Sequence, residues 1–200
     1  KMEGAKMEGA LTDEPAGIVL DYTQAEDGPL VKKLKDHAVW IQYGGQKGMR
    51  IDLSGCDMRS VHDLGRYTLT AIKADNAVFQ GMNLMTAQMQ SGIFDHSDFR
   101  DCKLSEADLR GSSLVGAKMS RCNLTKSTLS PLEFGAGRKK VTDLRNVDLS
   151  FADLSGCKLQ YAIMDGANLE GAKMDKADLR GVDLTKITLD EQLRKDIRTA

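Results

Sequence analysis

Residues 167–181 read Ala-Asn-Leu-Glu-Gly-Ala-Lys-Met-Asp-Lys-Ala-Asp-Leu-Arg-Gly, and this stretch repeats one pattern every five residues. A large apolar residue stands at every fifth position, which we call the central position, and alanine stands two residues before it, at what we call the small position. The same spacing runs from Phe79 to Leu129 and resumes in the same register from Leu144 to Leu189. Leu, Met or Phe fills every central position in both runs. A period of five residues therefore organises most of the chain.

A five-residue period fits neither regular secondary structure. On an α-helix each step of five residues turns about 140°, so the apolar row would spiral around the helix and bury no single face. On a flat strand an odd step sends successive side chains to opposite faces. The row stays on one side only if the chain bends after every short extended segment, and repeated bending in one sense produces stacked coils. We therefore expect the central and small positions to point inward.

The motif behind this pattern is A-(D/N)-L-x-x. Its clearest instances are Ala107-Asp-Leu, Ala152-Asp-Leu, Ala167-Asn-Leu and Ala177-Asp-Leu. On these residues the chain from about Ile51 to Leu189 resembles the pentapeptide-repeat family. The resemblance implies an all-β fold, a right-handed quadrilateral parallel β-helix (solenoid) with four repeats, or roughly 20 residues, in each coil. The spacing between paired strands would set a rise of about 4.8 Å per coil.

Coils of this size predict columns of inward side chains that are spaced by four repeats. One predicted column is Leu84, Leu104, Leu124, Leu144, Met164 and Leu184, and another places Lys139 among Phe79, Phe99, Met119, Leu159 and Leu179. Cys102 and Cys122 are predicted to be stacked neighbours. Their spacing permits a disulfide, although two packed thiols are the simpler interpretation.

The repeat is interrupted twice. Between residues 59 and 74 one residue is inserted, which predicts a bulge with His62 near an inward position. The segment Ser130–Val141 is rich in glycine and basic residues, although Leu132 and Phe134 within it still follow the repeat. Because this segment lacks the P-loop pattern of a phosphate site, we predict a protruding loop with a basic tip.

The remaining segments complete the predicted organisation. Residues 1–12 are predicted to be the tail of an upstream repeat segment, 13–28 a linker, 29–48 a capping helix with its lead-in, 49–189 the β-helix and 190–200 a second capping helix. The first helix has a predicted apolar stripe of Leu30, Leu34, Ala38 and Ile41. Short capping α-helices at both ends would cover the open ends of the solenoid.

Composition limits the classes of function. Lys and Arg total 28 and Asp and Glu total 29, a formal net charge of −1, which argues against a bulk polyanion or polycation. No apolar run approaches the roughly 20 residues that span a bilayer, and residues 1–5 lack the basic-then-apolar layout of a secretory signal. Cys56, Cys102, Cys122 and Cys157 lack metal-site spacing, which predicts buried, reduced thiols in a cytoplasmic protein. The sequence indicates no cofactor, no metal and no catalytic residue.

If residues four repeats apart lie on the same face of the predicted solenoid, one of its outer faces is basic. Its candidate residues for contact with an anionic partner are Arg100, Lys118, Arg121, Arg138, Lys139, Lys140, Lys158 and Arg180. An acidic protein or a nucleic-acid backbone would fit such a face. Chance segregation of surface charge would produce the same distribution.

Three classes of function are compared. The favoured hypothesis is a non-catalytic scaffold for protein–protein interaction, because a filled core leaves no pocket. The alternative follows from the resemblance, since some family members imitate duplex DNA, bind DNA gyrase and give quinolone resistance; their surface is strongly acidic and this chain is near neutral. An enzyme is disfavoured, because the chain has no clustered histidines and no nucleotide loop. The expected partner is another protein, nucleic acid is less well supported, and the oligomeric state stays open.

Overall fold

The computed structural model of the protein describes residues 18–19, 29–65 and 67–193. The helix α1 spans Pro29–Gln42, and the strands are β1 (Ile18–Val19), β2 (Cys56–Asp57), β3 (Leu132–Phe134) and β4 (Arg138–Lys140). Two 3-10 helices are η1 (Gly135–Gly137) and η2 (Leu184–Lys186). The predicted tail at 1–12, most of the predicted linker and residues 194–200 lie outside the described residues.

Most of the chain coils so that each extended segment pairs with a segment one coil later. The pairs are isolated parallel bridges, which form four ladders along the structure. Face A joins Asp52, Lys73, Ile93, Ser113, Asp143 and Ile163, and face B joins Asp57, Val78, Asp98, Lys118, Asp148, Asn168 and Thr188. Face C joins Asp63, Asn83, Lys103, Asn123, Asp153 and Lys173, and face D joins Thr68, Gln88, Asp108, Thr128, Lys158 and Asp178. Each coil therefore passes through four faces and four corners.

The first interruption inserts one residue, as predicted. Asp57 is bridged to the residue 21 positions later, whereas Asp63 is bridged to the residue 20 positions later. Val61 is buried at 7% exposure and His62 is exposed. The prediction that His62 lies near an inward position is therefore wrong, because Val61 occupies that position.

The second interruption changes the columns of the core. Lys118 is bridged to Asp148, so the step at this point is six repeats instead of four. The ten added residues leave the coil as the antiparallel hairpin of β3 and β4. Leu154, and not Leu144, consequently follows Leu124 in its column, and the predicted columns are wrong beyond residue 129. Ten residues equal two repeats, so the five-residue register is the same on both sides of the hairpin. Each residue after the hairpin nevertheless lies two faces away from the face that a constant step of four repeats predicts.

Large side chains at the central positions fill the interior. Phe99 is fully buried and stacks on Phe79 of the preceding coil, with ring centroids 4.8 Å apart. Burying a side chain of this size contributes about 1.5–3 kcal/mol before chain entropy is counted. At the small positions, the buried thiols of Cys102 and Cys122 donate hydrogen bonds to the carbonyl oxygens of Phe79 and Phe99, at 3.0 and 2.7 Å. These two cysteines are neighbours on successive coils, and all four cysteines are buried free thiols.

The corners between faces use left-handed backbone. Phe151 and Tyr161 both have a φ of 58° at such corners. The ring of Phe151 covers Gly171 one coil later, where an added Cβ would lie 2.6 Å from the ring. The ring of Tyr161 covers Gly181 in the same way. Glycine at these two corners therefore leaves the space that an aromatic ring occupies.

Helix α1 packs against the first coil. Its buried residues are Leu30, Leu34 and His37, whereas Ala38 is exposed and Ile41 is half-buried. The predicted stripe is therefore wrong at Ala38, because the helical spacing from Leu30 and Leu34 leads to His37 on the buried side.

Two further contacts lie at the ends of the ladders. β1 pairs in parallel with β2, so a part of the predicted linker extends the ladder of face B. At the other end, Asp190 accepts a hydrogen bond of 2.7 Å from the backbone N–H of Leu193, in a helical segment described from 191 to 193. Leu193 is buried at 7% exposure.

Candidate functional site

The structure separates the residues of the predicted basic face. Lys118 lies on face B, Lys158 lies on face D, and Arg138 belongs to β4. The prediction assumed that residues four repeats apart always lie on the same face. The ten extra residues of the hairpin break this rule, because residues on its two sides share a face only when they are six repeats apart. The prediction of a single basic face is wrong, whereas a binding role for individual residues of the set stays a prediction.

Three of the four candidate arginines form ion pairs with aspartate. Arg100 lies 2.5 Å from Asp98, and Arg180 lies 2.6 Å from Asp178. In both pairs the aspartate also accepts the backbone N–H of the arginine. The hydrogen bonds from Arg180 lower the pKa of Asp178 to about 2. The same Asp-x-Arg pair recurs at Asp57–Arg59, Asp108–Arg110 and Asp143–Arg145.

The third of these arginines pairs between coils, and one candidate lysine is also neutralised. Arg121 lies 2.7 Å from Asp101 of the preceding coil, and Lys139 lies 2.6 Å from Glu133 across the hairpin. Lys139 is exposed on β4 and does not enter the core column that was predicted for it. Sequence reasoning missed the pairs of these four candidates, although the Asp-x-Arg spacing is visible in the sequence and would have revealed those of Arg100 and Arg180.

The hairpin of β3 and β4 is fixed at its base. The hydroxyl of Thr142, which is fully buried, donates a hydrogen bond of 3.1 Å to the carbonyl oxygen of Ser130 and accepts one of 2.9 Å from the N–H of Gly111. Leu132 lies over Gly111, where an added Cβ would come within 2.9 Å of the leucine Cβ. Every later residue of the hairpin is exposed. The protruding segment that the sequence predicts is therefore a hairpin, and Leu132 and Phe134 do not continue the inward row.

The hairpin leaves the coil at the corner between faces D and A, which we call the D–A corner. Ala71, Ser91 and Gly111 stack at this corner on successive coils, and Tyr161 occupies it on the coil after the hairpin. Tyr161 therefore lies one coil after the base of the hairpin, at the same corner.

Apolar side chains are exposed around this corner. Phe134 is 44% exposed and Tyr161 is 62% exposed. Val141 at the hairpin base and Ile163 at the start of face A are exposed at 39% and 36%. We call these four residues the hairpin patch. They are four of the nine large hydrophobic residues that are exposed in the described part of the chain.

His37 is a buried polar group that sequence reasoning missed. Its Nε2 lies 2.9 Å from the carbonyl oxygen of Thr70, and its Nδ1 accepts a hydrogen bond of 3.3 Å from the N–H of Ile51. Burial lowers the pKa of His37; the bond to Thr70 opposes this shift, and the positive charge of Arg50 adds to it. The neutral imidazole thus connects α1 to the beginning and the end of the first coil.

The described ranges contain no group of three or more His, Cys, Asp or Glu side chains that could hold a metal ion. In those same ranges, no helix combines the length and the apolar character that crossing a membrane requires. The hydroxyls of Ser97 and Ser127 donate to carbonyl oxygens in the core, and burial raises the pKa of Cys157 to about 11. These groups therefore serve packing rather than chemistry.

Comparison with known proteins agrees with this architecture. The family described as pentapeptide repeats, with eight copies, matches residues 93–130, 142–160 and 152–189. The repeated part of the chain belongs to the pentapeptide-repeat family. The matched residues end where the hairpin begins and resume at Thr142, so the hairpin of this pentapeptide-repeat protein is not a product of the repeat itself.

Other pentapeptide-repeat proteins have similar solved structures. A protein from the thylakoid lumen of Arabidopsis thaliana is 24% identical with a TM-score of 0.54, over 60% of this chain and 77% of its own. HetL from Nostoc sp. strain PCC 7120, involved in the regulation of heterocyst differentiation, is 26% identical with a TM-score of 0.35, over 72% and 70%. The plasmid-mediated fluoroquinolone resistance protein QnrB1 is 16% identical with a TM-score of 0.26, over 69% and 93%. The first similarity concerns the fold alone, and the low TM-scores of the other two give them no functional weight. No curated protein sequence matches the chain.

Proposed function

We propose that this pentapeptide-repeat protein is a non-catalytic scaffold that binds another protein through the hairpin patch. The observation that carries the proposal is the exposure of Phe134 on a hairpin that departs from the repeat. Exposed aromatic side chains on a rigid support are typical anchors of protein interfaces. The Thr142 hydrogen bonds hold this hairpin in one position, so little ordering entropy is lost when a partner binds.

The proposal includes the finer features of the fold and its location. The helix α1 and the helical segment at 191–193 are proposed to cap a right-handed, four-sided β-helix, which is supported by the burial of Leu34 and Leu193. A cytoplasmic location is supported by the four unpaired thiols. A lack of enzymatic activity is supported by the internal hydrogen bonds of the buried hydroxyls and thiols.

The test is site-specific photo-crosslinking in extract of the cells that produce the protein. A photo-reactive phenylalanine analogue at position 134 is expected to capture a distinct protein. The double variant Phe134→Ala/Tyr161→Ala, probed from position 141, is expected to lose that product. The matched control is Phe151→Ala, because Phe151 is 63% exposed and also covers a corner glycine, but on the opposite corner. Equal loss of the product in the control, or no product at all, would contradict the proposal.

The alternative of a DNA-imitating gyrase inhibitor is less well supported. Such a protein needs free carboxylates in place of phosphates, whereas Asp98, Asp108, Asp143 and Asp178 are paired with arginine. We expect no inhibition when the protein is added to a DNA gyrase supercoiling assay. Inhibition that increases with protein concentration would restore the alternative.

A further inference from the structure

Unpaired arginine is confined to one corner of the described structure. The described arginines that pair with aspartate are Arg59, Arg100, Arg110, Arg121, Arg145 and Arg180. Among the described residues, Arg50 and Arg138 form no ion pair with a carboxylate. Arg50 instead donates a hydrogen bond of 2.6 Å to the carbonyl oxygen of Ala71, and Arg138 donates one of 3.5 Å to Gly135 within the hairpin turn.

The D–A corner holds Arg50 and Lys140 in one row, and Arg138 lies on the hairpin that leaves this corner. Arg50 binds the carbonyl of Ala71, and Lys140 binds the carbonyl of Ser91 on the next coil, at 3.4 Å. The hairpin base then covers Gly111, and Tyr161 follows. From Ala71 to Tyr161 the corner rises by four coils, or about 19 Å, which an extended peptide of about six residues would cover.

The positive charge along this row is not fully compensated. Burial lowers the pKa of Lys140, and repulsion from Arg50 lowers it further, while Asp95 only partly opposes the shift. A carboxylate bound near Arg50 and Lys140 would offset the repulsion between these two positive charges. Tyr161 ends this row, and Phe134 is exposed on the hairpin that leaves it.

We propose that the D–A corner binds an extended acidic segment of the partner protein, with carboxylates on Arg50, Arg138 and Lys140 and apolar side chains on Phe134 and Tyr161. This inference rests on the proposed function and names the chemistry of the partner. A nucleic acid fits less well, because three cations can neutralise only a few phosphates, whereas stable nucleic-acid binding commonly uses six or more contacts.

The experiment measures fluorescence anisotropy of labelled probes with the whole protein at low salt. The probes are an octapeptide of alternating glutamate and leucine, the same peptide with glutamine for glutamate, and a single-stranded DNA dodecamer. The acidic peptide is expected to bind, and the glutamine peptide to bind at least about tenfold more weakly. The variant Arg50→Glu/Arg138→Glu is expected to weaken binding of the acidic peptide by about tenfold or more. Added salt should weaken binding of the acidic peptide most.

Controls make the outcome decisive. Lys126→Glu reverses a lysine at another corner and should leave peptide affinity within about twofold. Arg138→Glu alone, on the exposed hairpin, keeps the test valid if Arg50→Glu prevents folding. Equal binding of both peptides, no binding, or tighter binding of the DNA would overturn the inference. If charge reversal leaves the photo-crosslinked product intact while Phe134→Ala/Tyr161→Ala removes it, the scaffold function stands and the acidic partner does not.

Discussion

The two interruptions of the repeat differ in size and in consequence. The first adds one residue near His62, where the ladders of faces A and B continue past it and those of faces C and D begin. The second adds ten residues, which leave the coil entirely as the β3–β4 hairpin, and the ladders also continue. The stack of coils therefore tolerates extra residues at a corner, provided that each ladder regains its face. The single inserted residue remains within a coil, whereas the ten inserted residues form a hairpin on the surface.

The surroundings of each interruption explain this difference. His37 ties Ile51 to Thr70, at the beginning and the end of the coil that contains the first insertion, so a buried polar group stabilises the irregular coil. Thr142 closes the base of the second insertion and leaves the rest of the hairpin exposed. We expect substitutions at the first interruption to affect stability and those at the second to affect binding.

The largest expected effect is a difference in stability between two phenylalanine-to-alanine variants. Both phenylalanines stand at central positions of the five-residue repeat. Phe99 is fully buried in the ladder, and Phe99→Ala should lower the free energy of unfolding by about 3–5 kcal/mol through the cavity that it leaves. Phe134 is on the hairpin, and Phe134→Ala should change stability by no more than about 0.5 kcal/mol. Urea denaturation followed by circular dichroism measures both. Similar losses in the two variants would show that the hairpin belongs to the core.

A smaller loss is expected for His37→Ala. This substitution leaves the buried Ile51 N–H without its partner, at a cost of about 1–3 kcal/mol, whereas the Thr70 carbonyl is only partly buried and can be hydrated. Because the folded state lowers the pKa of His37 below 6.5, its contribution is complete above pH 6.5 and is lost as the pH falls below that value.

The pH dependence provides a separate check of the same contact. The free energy of unfolding of the unmodified protein should fall as the pH is lowered below 6.5, and His37→Ala should flatten this slope. The paired aspartates lose their contribution at lower pH, since their pKa values lie below 3.8. An unchanged slope in His37→Ala would show that the histidine does not secure the first coil.

Two corner glycines should respond differently to alanine. Gly171 and Gly81 both have positive φ, at 66° and 74°. A Cβ at Gly171 collides with the Phe151 ring, whereas at Gly81 it meets nothing within 4 Å. We expect Gly171→Ala to cost about 1–3 kcal/mol more than Gly81→Ala, measured by thermal denaturation. Equal melting temperatures would mean that the corner ring moves freely.

The smallest effect on stability is expected for removal of residues 131–140. This deletion joins Ser130 to Val141 and restores a step of four repeats, so every central side chain after it keeps its column. Loop closure entropy changes little with a loop of this size, and we expect a change within about 1 kcal/mol. Loss of cooperative unfolding in the deletion variant would show that the hairpin is needed to align the ladders.

Much of this fold follows from the sequence, because each bend of the chain is determined by residues within one five-residue repeat. A bend after every five residues is dictated by where Leu, Ala and Asp stand within each repeat, so the inward rows and the one-residue insertion could be predicted. The columns beyond residue 129 could not be predicted. An insertion of five or ten residues leaves the five-residue register unchanged, so the sequence does not show that the later residues have moved to other faces. Only the pairing of Lys118 with Asp148 reveals how far the chain has advanced.

The candidate site was predicted less well for the same reason. The predicted basic face depended on a constant spacing of four repeats, which the hairpin interrupts. It also treated Arg100 and Arg180 as free cations, although each pairs with an aspartate two residues before it. The Asp-x-Arg spacing could have exposed that error. The bonds of His37 could not have been predicted, because they join residues that approach one another only after the first coil has closed.

Disulfide formation between engineered cysteines tests the central claim most directly. Bridged partners on adjacent coils lie within the range of a disulfide, and the native thiols are buried and unpaired. Under mild oxidation, we expect Lys118→Cys/Asp148→Cys to form an intramolecular disulfide, and Lys118→Cys/Arg138→Cys to stay reduced. Efficient cross-linking in the second variant and none in the first would show that the coil keeps a constant step of four repeats, which would contradict the ladders described here.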